Sequence, residues 1–250
     1  IDFAEVWAQA RDVSLPLAAV ATIMLGFNLF WAAIRLQIIL KAVKATIPLG
    51  KLLIIYVSSH FFTTFIPSGL GGDVYRGAKI YKRARAVGTS VFSVLLERAA
   101  ALLSMFSLSL VGILIAAPYL EGRATTLALL VGGIILFIVV VLLLSRHLGG
   151  LLRLIGRVIP PLKGLTSSFA SLLESIKLAS GFGVLVRVYA ISLLTHFAMV
   201  LAVYILALAL GEDVPFRFFL AFVPLITVFM MLPLTVGGLG LRELGYVYFF

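Results

Sequence analysis

The sequence predicts an all-α polytopic integral membrane protein, and three observations carry that prediction. First, 62% of its 250 residues are apolar and 12% charged, with a mean hydropathy of +1.19, against roughly 45–50% apolar and about 25% charged in soluble domains. Too little polar surface remains to cover a water-exposed globule. Second, several uncharged stretches approach or exceed the length needed to span a bilayer, since about 20 helical residues cross a hydrocarbon core of roughly 30 Å. Third, basic residues collect between those stretches, as they do in cytoplasmic loops. Each span reads as a helix, because a helix satisfies its own backbone groups in lipid.

The elements follow in chain order. An acid-rich N-terminal segment (Asp2, Glu5, Arg11, Asp12) precedes the first span, 15–34; residues 35–51 then carry Arg35, Lys41, Lys44 and Lys51 and read as an inside loop. The apolar run 52–72 is interrupted by Pro and Gly and leads to a second basic segment, 74–86, with Arg76, Lys79, Lys82, Arg83 and Arg85. Spans at 99–117 and 124–145 flank a turn at 118–123 that is poor in basic charge and belongs outside. Residues 146–163 carry Arg146, Arg153, Arg157 and Lys163 and read as inside. After Pro160 and Pro161, Leu165, Phe169, Leu172, Leu173 and Ile176 share one helical face over 164–180, with Thr166 or Ser167 as N-cap. That short amphipathic helix fits a packing or linking role in the cytoplasmic interface. A fourth span, 188–210, ends in the outside turn 211–217 (Glu212, Asp213, Arg217), and a second interrupted apolar run, 218–241, follows.

The basic segments on both sides of 52–72 read as inside, so that run must dip into the membrane and return. Its break falls at Pro67, Gly71 and Gly72; by the same logic 218–241 dips from the opposite face and breaks at Pro233, Gly237, Gly238 and Gly240. The two breaks also match in register. "PSGLGGDVYR" and "PLTVGGLGLR" both read P-x-x-x-G-G-x-x-x-R, the pattern of an inverted repeat whose interrupted helices meet at a central site. The whole chain, 1–250, reads as one transmembrane domain, with a first repeat about 15–117 and a second about 164–250. An external N-terminus without a signal segment, and a stop at Phe249 and Phe250 inside apolar sequence, predict outer helices beyond both ends.

Glu97 and Arg98 lie in an otherwise apolar helix, where each central charge costs about 2.5–3.5 kcal/mol. As neighbours they diverge by about 100° on the helix, so each needs a partner elsewhere. Asp73 and Arg76 after the first break, and Arg242 and Glu243 after the second, are the candidates. Two readings stand: an ion-pair network that locks helices together, or a polar cavity in which Arg76, Arg98 and Arg242 hold a phosphate while the carboxylates tune its release. Asp73 also fits an N-cap for the helix beginning "VYRGAK", whose N-terminus itself attracts an anionic headgroup.

Other chemistries find little support. Zero Cys excludes disulfides and thiolate ligation. His60 and His196 lack a second ligand at useful spacing, so a hydrogen-bonded packing role suits them better than a metal site. Ser58, Ser59, Thr63 and Thr64 stand near the first break, placed to line a cavity or to bond their own helix backbone. No dinucleotide, Walker, zincin or nucleophile-elbow motif occurs, and nothing points to ATP or another cofactor. The net charge of +10 sits beside apolar spans, which fits anionic lipid headgroups and not nucleic acid.

At "FIPSGLGGDVYRG", "SVLLERAAALLSM" and "LPLTVGGLGLRELG" the sequence resembles the flippase-like transmembrane family, the membrane half of bacterial lysylphosphatidylglycerol synthases and their relatives. The three blocks come in the expected order, and the resemblance runs from about Phe27 to Tyr248. It implies a multi-pass protein of a prokaryotic plasma membrane that moves a polar or anionic lipid between leaflets. The lipid classes it implies are modified phospholipid and polyprenyl-linked glycan, with a lipid-modifying enzyme as partner. By position the family's motif falls on Pro67, Gly72, Asp73, Arg76, Glu97, Arg98, Gly238, Gly240, Arg242 and Glu243. The aminoacyl-transferring domain of the synthases is absent from the 250 residues, so this chain is not expected to make lysyl lipid.

Three functions compete. An ATP-independent flippase needs a cavity that a headgroup enters while acyl tails stay in lipid; neutralising Asp73, Arg76, Glu97 or Arg98 should abolish transport and leave the protein folded. An integral-membrane enzyme acting on phospholipids or lipid-linked sugars needs a base, for which Asp73, Glu97 and Glu243 are available. A scaffold for a partner enzyme predicts a dry, fully paired charge network with no opening.

Overall fold

In a computed structural model, the protein is described over residues 13–65, 71–120, 122–136, 138, 171, 172, 174–179, 181–231 and 239–250, and every regular element among them is helical. The elements are α1 (Leu15–Ala42), α2 (Leu49–Phe65), α3 (Gly71–Ala84), α4 (Val87–Ala116), α5 (Arg123–Leu136), α6 (Phe182–Ala209), α7 (Phe216–Met230) and α8 (Leu241–Phe249). Three of them, α1, α4 and α6, are long and apolar enough to cross a membrane.

α1 opens with Pro16 in its first turn, where a missing N–H costs nothing. Its 28 residues extend about 42 Å at 1.5 Å per residue, more than a bilayer core. The helix therefore runs on to Ala42 past the expected end at residue 34. Arg35 and Lys41, expected in a loop, are helical, and Arg35 is buried. Apolar neighbours on both sides carry the helix through a single charge. At its far end Lys44, at φ 59°, turns the chain into the left-handed region.

α1 and α6 pack antiparallel along much of their length. Ser14 N donates to Ala209 O at 2.9 Å, Asn28 Nδ2 to Thr195 O at 2.9 Å and Arg35 Nη1 to Ser192 Oγ at 3.2 Å. α4 stands at the centre, touching α1, α3, α6 and α7. It starts twelve residues before the expected span at 99, and its buried residues include Ser93, Ala100, Ala101, Ser104, Ser109 and Gly112. Small residues let neighbouring backbones approach where lipid provides no hydrophobic drive between helices. At Gly112 the approach is closest: a Cβ there would lie 2.5 Å from the Leu220 carbonyl carbon of α7, and Ser109 Oγ donates to Ala221 O at 2.7 Å.

Each interrupted run is a pair of helices packed antiparallel. In the first, Phe62 stacks on Tyr75 with ring centroids 4.6 Å apart, and Gly72 faces Ser59 and Thr63. In the second, Phe222 stacks on Phe249 at 4.5 Å, and Gly245 packs on Ile226. Gly71 and Gly72, expected in the break, instead form the first turn of α3, buried against α2. A Cβ on Gly72 would meet Thr63 Oγ1 and stand 2.7 Å from Ser59 O, so glycine is needed for the two helices to touch. Gly240, at φ 85°, caps α8, and the Glu243 carboxylate accepts from its N–H at 2.7 Å. Pro67, Pro233, Gly237 and Gly238 lie outside the described residues, as do Leu165, Thr166, Ser167, Phe169 and Leu173 of the amphipathic segment. Its described part, residues 171, 172 and 174–179, is helical and docks on the start of α4. Ser171 Oγ accepts from Gly88 N at 3.1 Å and Ser175 Oγ donates to Thr89 Oγ1 at 2.9 Å.

Candidate functional site

A cavity of about 360 Å³ lies among α1, α2, α3, α4, α6 and α7, and Arg35, Tyr56, Asp73, Arg76, Glu97 and Arg98 line its charged side. Asp73 sits in the first turn of α3 with Arg76 one turn on. Glu97 and Arg98 follow one another on α4 but point apart, as the 100° step requires. Glu97 turns toward α1 and α2, and Arg98 toward α3.

The five charges form one alternating chain. Arg35 Nη2 lies 2.8 Å from Glu97 Oε1, and Arg76 Nε lies 3.7 Å from Glu97 Oε2. Asp73 pairs through one oxygen with Arg76 and through the other with Arg98. Tyr56 OH donates to Glu97, and its ring lies under the Arg76 guanidinium at 5.0 Å. Ser59 Oγ accepts from Arg76 Nη1 at 3.5 Å. Among the described residues this chain holds three guanidiniums and two carboxylates.

Exposure is lowest at Glu97 and highest at Arg98. Side-chain exposure is 2% for Glu97 and 8% for Arg35, 13% and 14% for Asp73 and Arg76, and 27% for Arg98, so Arg98 marks the open end. Arg35 Nε, Arg76 Nε and Glu97 Oε2 are buried without a hydrogen-bond partner. Two of these atoms, Arg76 Nε and Glu97 Oε2, face each other as an ion pair. The rest of the lining includes Asn28, Thr63, Thr195, Thr227, Met230 and Met231. His196 lines the cavity too, its Nδ1 held by Ser104 Oγ at 2.7 Å and Ser192 O at 2.8 Å, the hydrogen-bonded packing role expected of it.

Four of the six residues singled out in the sequence thus come together. Arg242 and Glu243 do not line the cavity. They are about half exposed and pair with each other, Nη2 to Oε1 at 2.8 Å. Adjacent residues can pair there because the site is an exposed helix start where a long Arg side chain folds back; inside the bundle, Glu97 and Arg98 cannot. Ser59 and Thr63 bond their own helix backbone, and Thr63 also lines the cavity.

Sequence reasoning missed Arg35 and Tyr56, the direct partners of Glu97. Arg35 had a readable signal: it is the single charge in "LFWAAIRLQIIL", a run better continued as helix than cut at its first cation. Tyr56 had none, since nothing local distinguishes it from the other aromatic residues of its apolar helix.

One family model, described as the lysylphosphatidylglycerol synthase TM region, matches residues 1–250, the whole chain. No curated protein and no solved structure matches.

Proposed function

The chain belongs to the lysylphosphatidylglycerol synthase TM region family, a membrane domain linked to the handling of lipids or lipid-linked sugars, and from that premise we propose that it translocates a polar or anionic lipid between leaflets without ATP. The observation that carries this reading is the alternating charge chain, ending in the partly exposed Arg98, that lines a cavity among the helices.

A headgroup phosphate brings its charge to the end where Arg98 is most exposed. Arginine offers a planar fork that donates two parallel hydrogen bonds to phosphate oxygens. Asp73 already bridges Arg76 and Arg98, so phosphate binding is an exchange of one anion for another on the same cations. Asp73 then competes the phosphate off, which keeps the site from trapping its cargo. Glu97, fully buried with Arg35 and Tyr56, anchors the inner end and holds Arg76 in reach.

Two supports accompany this. The helices flanking each interrupted run pack antiparallel, which fits a pair of re-entrant hairpins in inverted repeat. The cavity alongside the charge chain argues against the scaffold reading, which requires a dry network with no opening. The setting is a prokaryotic inner membrane, beside an enzyme that modifies the same lipid.

The test is transbilayer movement of labelled lipids in proteoliposomes, comparing wild type, Arg98→Ala and empty vesicles. Headgroup-selective movement that falls to the empty-vesicle rate in Arg98→Ala is expected. No movement of any lipid by folded wild type, or equal movement by the variant, overturns the reading.

A further inference from the structure

A second cavity, of about 490 Å³, runs between α3 and α4 on the face turned away from the bundle. Its walls are Val74 and Ala78 from one helix and Val87, Val91 and Leu95 from the other, and its inner end is closed by Asp73 and Arg98. Those two residues also line the charged cavity. The ion pair between them is therefore the shared wall of an apolar groove and a polar chamber.

The groove's apolar walls are exposed. Val74 is 71% exposed, Val91 46% and Leu95 57%, which is tolerable only in an apolar medium or under a cover. Arg98 lies eleven residues into α4, about 16 Å along the helix, which is about half of a hydrocarbon core of roughly 30 Å. The groove's length thus matches one leaflet, and its inner end holds a guanidinium.

We infer that this groove seats an acyl chain of a phospholipid whose phosphate engages Arg98 across the shared wall. The inference rests on the translocation reading and adds to it the place where the tail stays while the head is inside. Charge and continuity both argue for that occupant. An apolar transmembrane helix covering the same face would seal the Asp73–Arg98 pair against hydrocarbon, whereas a phospholipid brings an anion for Arg98 and a chain joined at the right point. Asp73 acts as the latch: while it holds Arg98 the wall is closed, and phosphate displaces it.

The experiment uses the full chain in vesicles doped with phosphatidylglycerol carrying a diazirine midway along one acyl chain, with adducts mapped by mass spectrometry. Labelling at Val91 and Leu95 is expected to exceed that at Leu194 and Ile115, which are comparably exposed at 45% and 55%, by at least about fivefold, and to fall severalfold toward theirs in Arg98→Ala. Equal labelling at all four positions overturns the inference. So does crosslinking of a single cysteine at Val91, in a chain with none of its own, to another protein segment in place of lipid. Val91→Trp, which fills the groove from a lipid-facing position, separates the two ideas. If it transports at the wild-type rate while Arg98→Ala does not, the groove falls and translocation stands. If wild type labels selectively but moves no lipid, the groove stands as a lipid site and translocation falls.

Discussion

Replacing Glu97 by Gln keeps the side chain's shape and one acceptor for Tyr56 or Arg35, so its effect isolates the charge. Glu97 faces two cations, at 2.8 Å for Arg35 and 3.7 Å for Arg76. At an effective dielectric of about 20, these attractions amount to about 6 and about 4.5 kcal/mol before desolvation is subtracted. Much of that offsets the cost of burying the groups, and what the variant exposes is the remainder: two buried guanidiniums that lose a counter-charge. Breaking one side of a buried pair typically costs about 3–5 kcal/mol. Arg76 retains Asp73, so about 3 kcal/mol is expected here, a shift of roughly 100-fold in the folding equilibrium. Removing both charges in Arg35→Met with Glu97→Gln returns the cluster to two cations and one anion, the same net charge as wild type. That double variant should recover most of the loss, because an apolar replacement for a buried pair is often neutral or better. Reversible denaturation from mixed micelles, run as a double-mutant cycle, measures all four states. A Glu97→Gln variant within about 1 kcal/mol of wild type, or a double variant as unstable as the sum of the singles, would refute the reasoning.

Four further outcomes follow from the geometry. Gly72→Ala places a Cβ 2.7 Å from Ser59 O and should cost about 1–3 kcal/mol in thermal unfolding; Thr63→Ala should not rescue it, because the Ser59 carbonyl is backbone. Gly112→Ala forces α4 off the α7 backbone, which a Cβ would approach to 2.5 Å, and should destabilise by a similar amount. Ser109→Ala at the same crossing should cost only about 1 kcal/mol, the net worth of one hydrogen bond. Arg242→Ala, whose side chain is 52% exposed, should change stability by less than about 0.5 kcal/mol.

The burial gradient also refines which residue reports function. Neutralising any of the four central charges is expected from the sequence to stop transport in a folded protein. At Glu97, buried to 2% exposure, stability and transport fall together, whereas Arg98, at 27%, can be removed with less damage to the bundle. Arg98→Ala is therefore the cleaner probe of headgroup binding.

By itself the sequence determined that this chain lives in lipid and is helical, because hydropathy and span length are sums over local residues. It also marked the two interrupted runs, since clustered Pro and Gly weaken a helix locally, and it flagged Asp73, Arg76, Glu97 and Arg98, because a charge among apolar residues is conspicuous without any knowledge of its neighbours. Only the tertiary structure decided who pairs with whom. Arg35 lies 62 residues from Glu97 in the chain and reads locally as a loop cation; it becomes a buried partner only when α1 packs beside α4. Gly71 and Gly72 read as a break and turn out to start a helix, because what demands glycine there is the approach of α2, a contact between segments. Arg242 repeats the motif position of Arg76 yet, with Glu243, stands outside the cavity. A repeated pattern specifies a local turn, while the burial of its charges depends on which helices are packed around it.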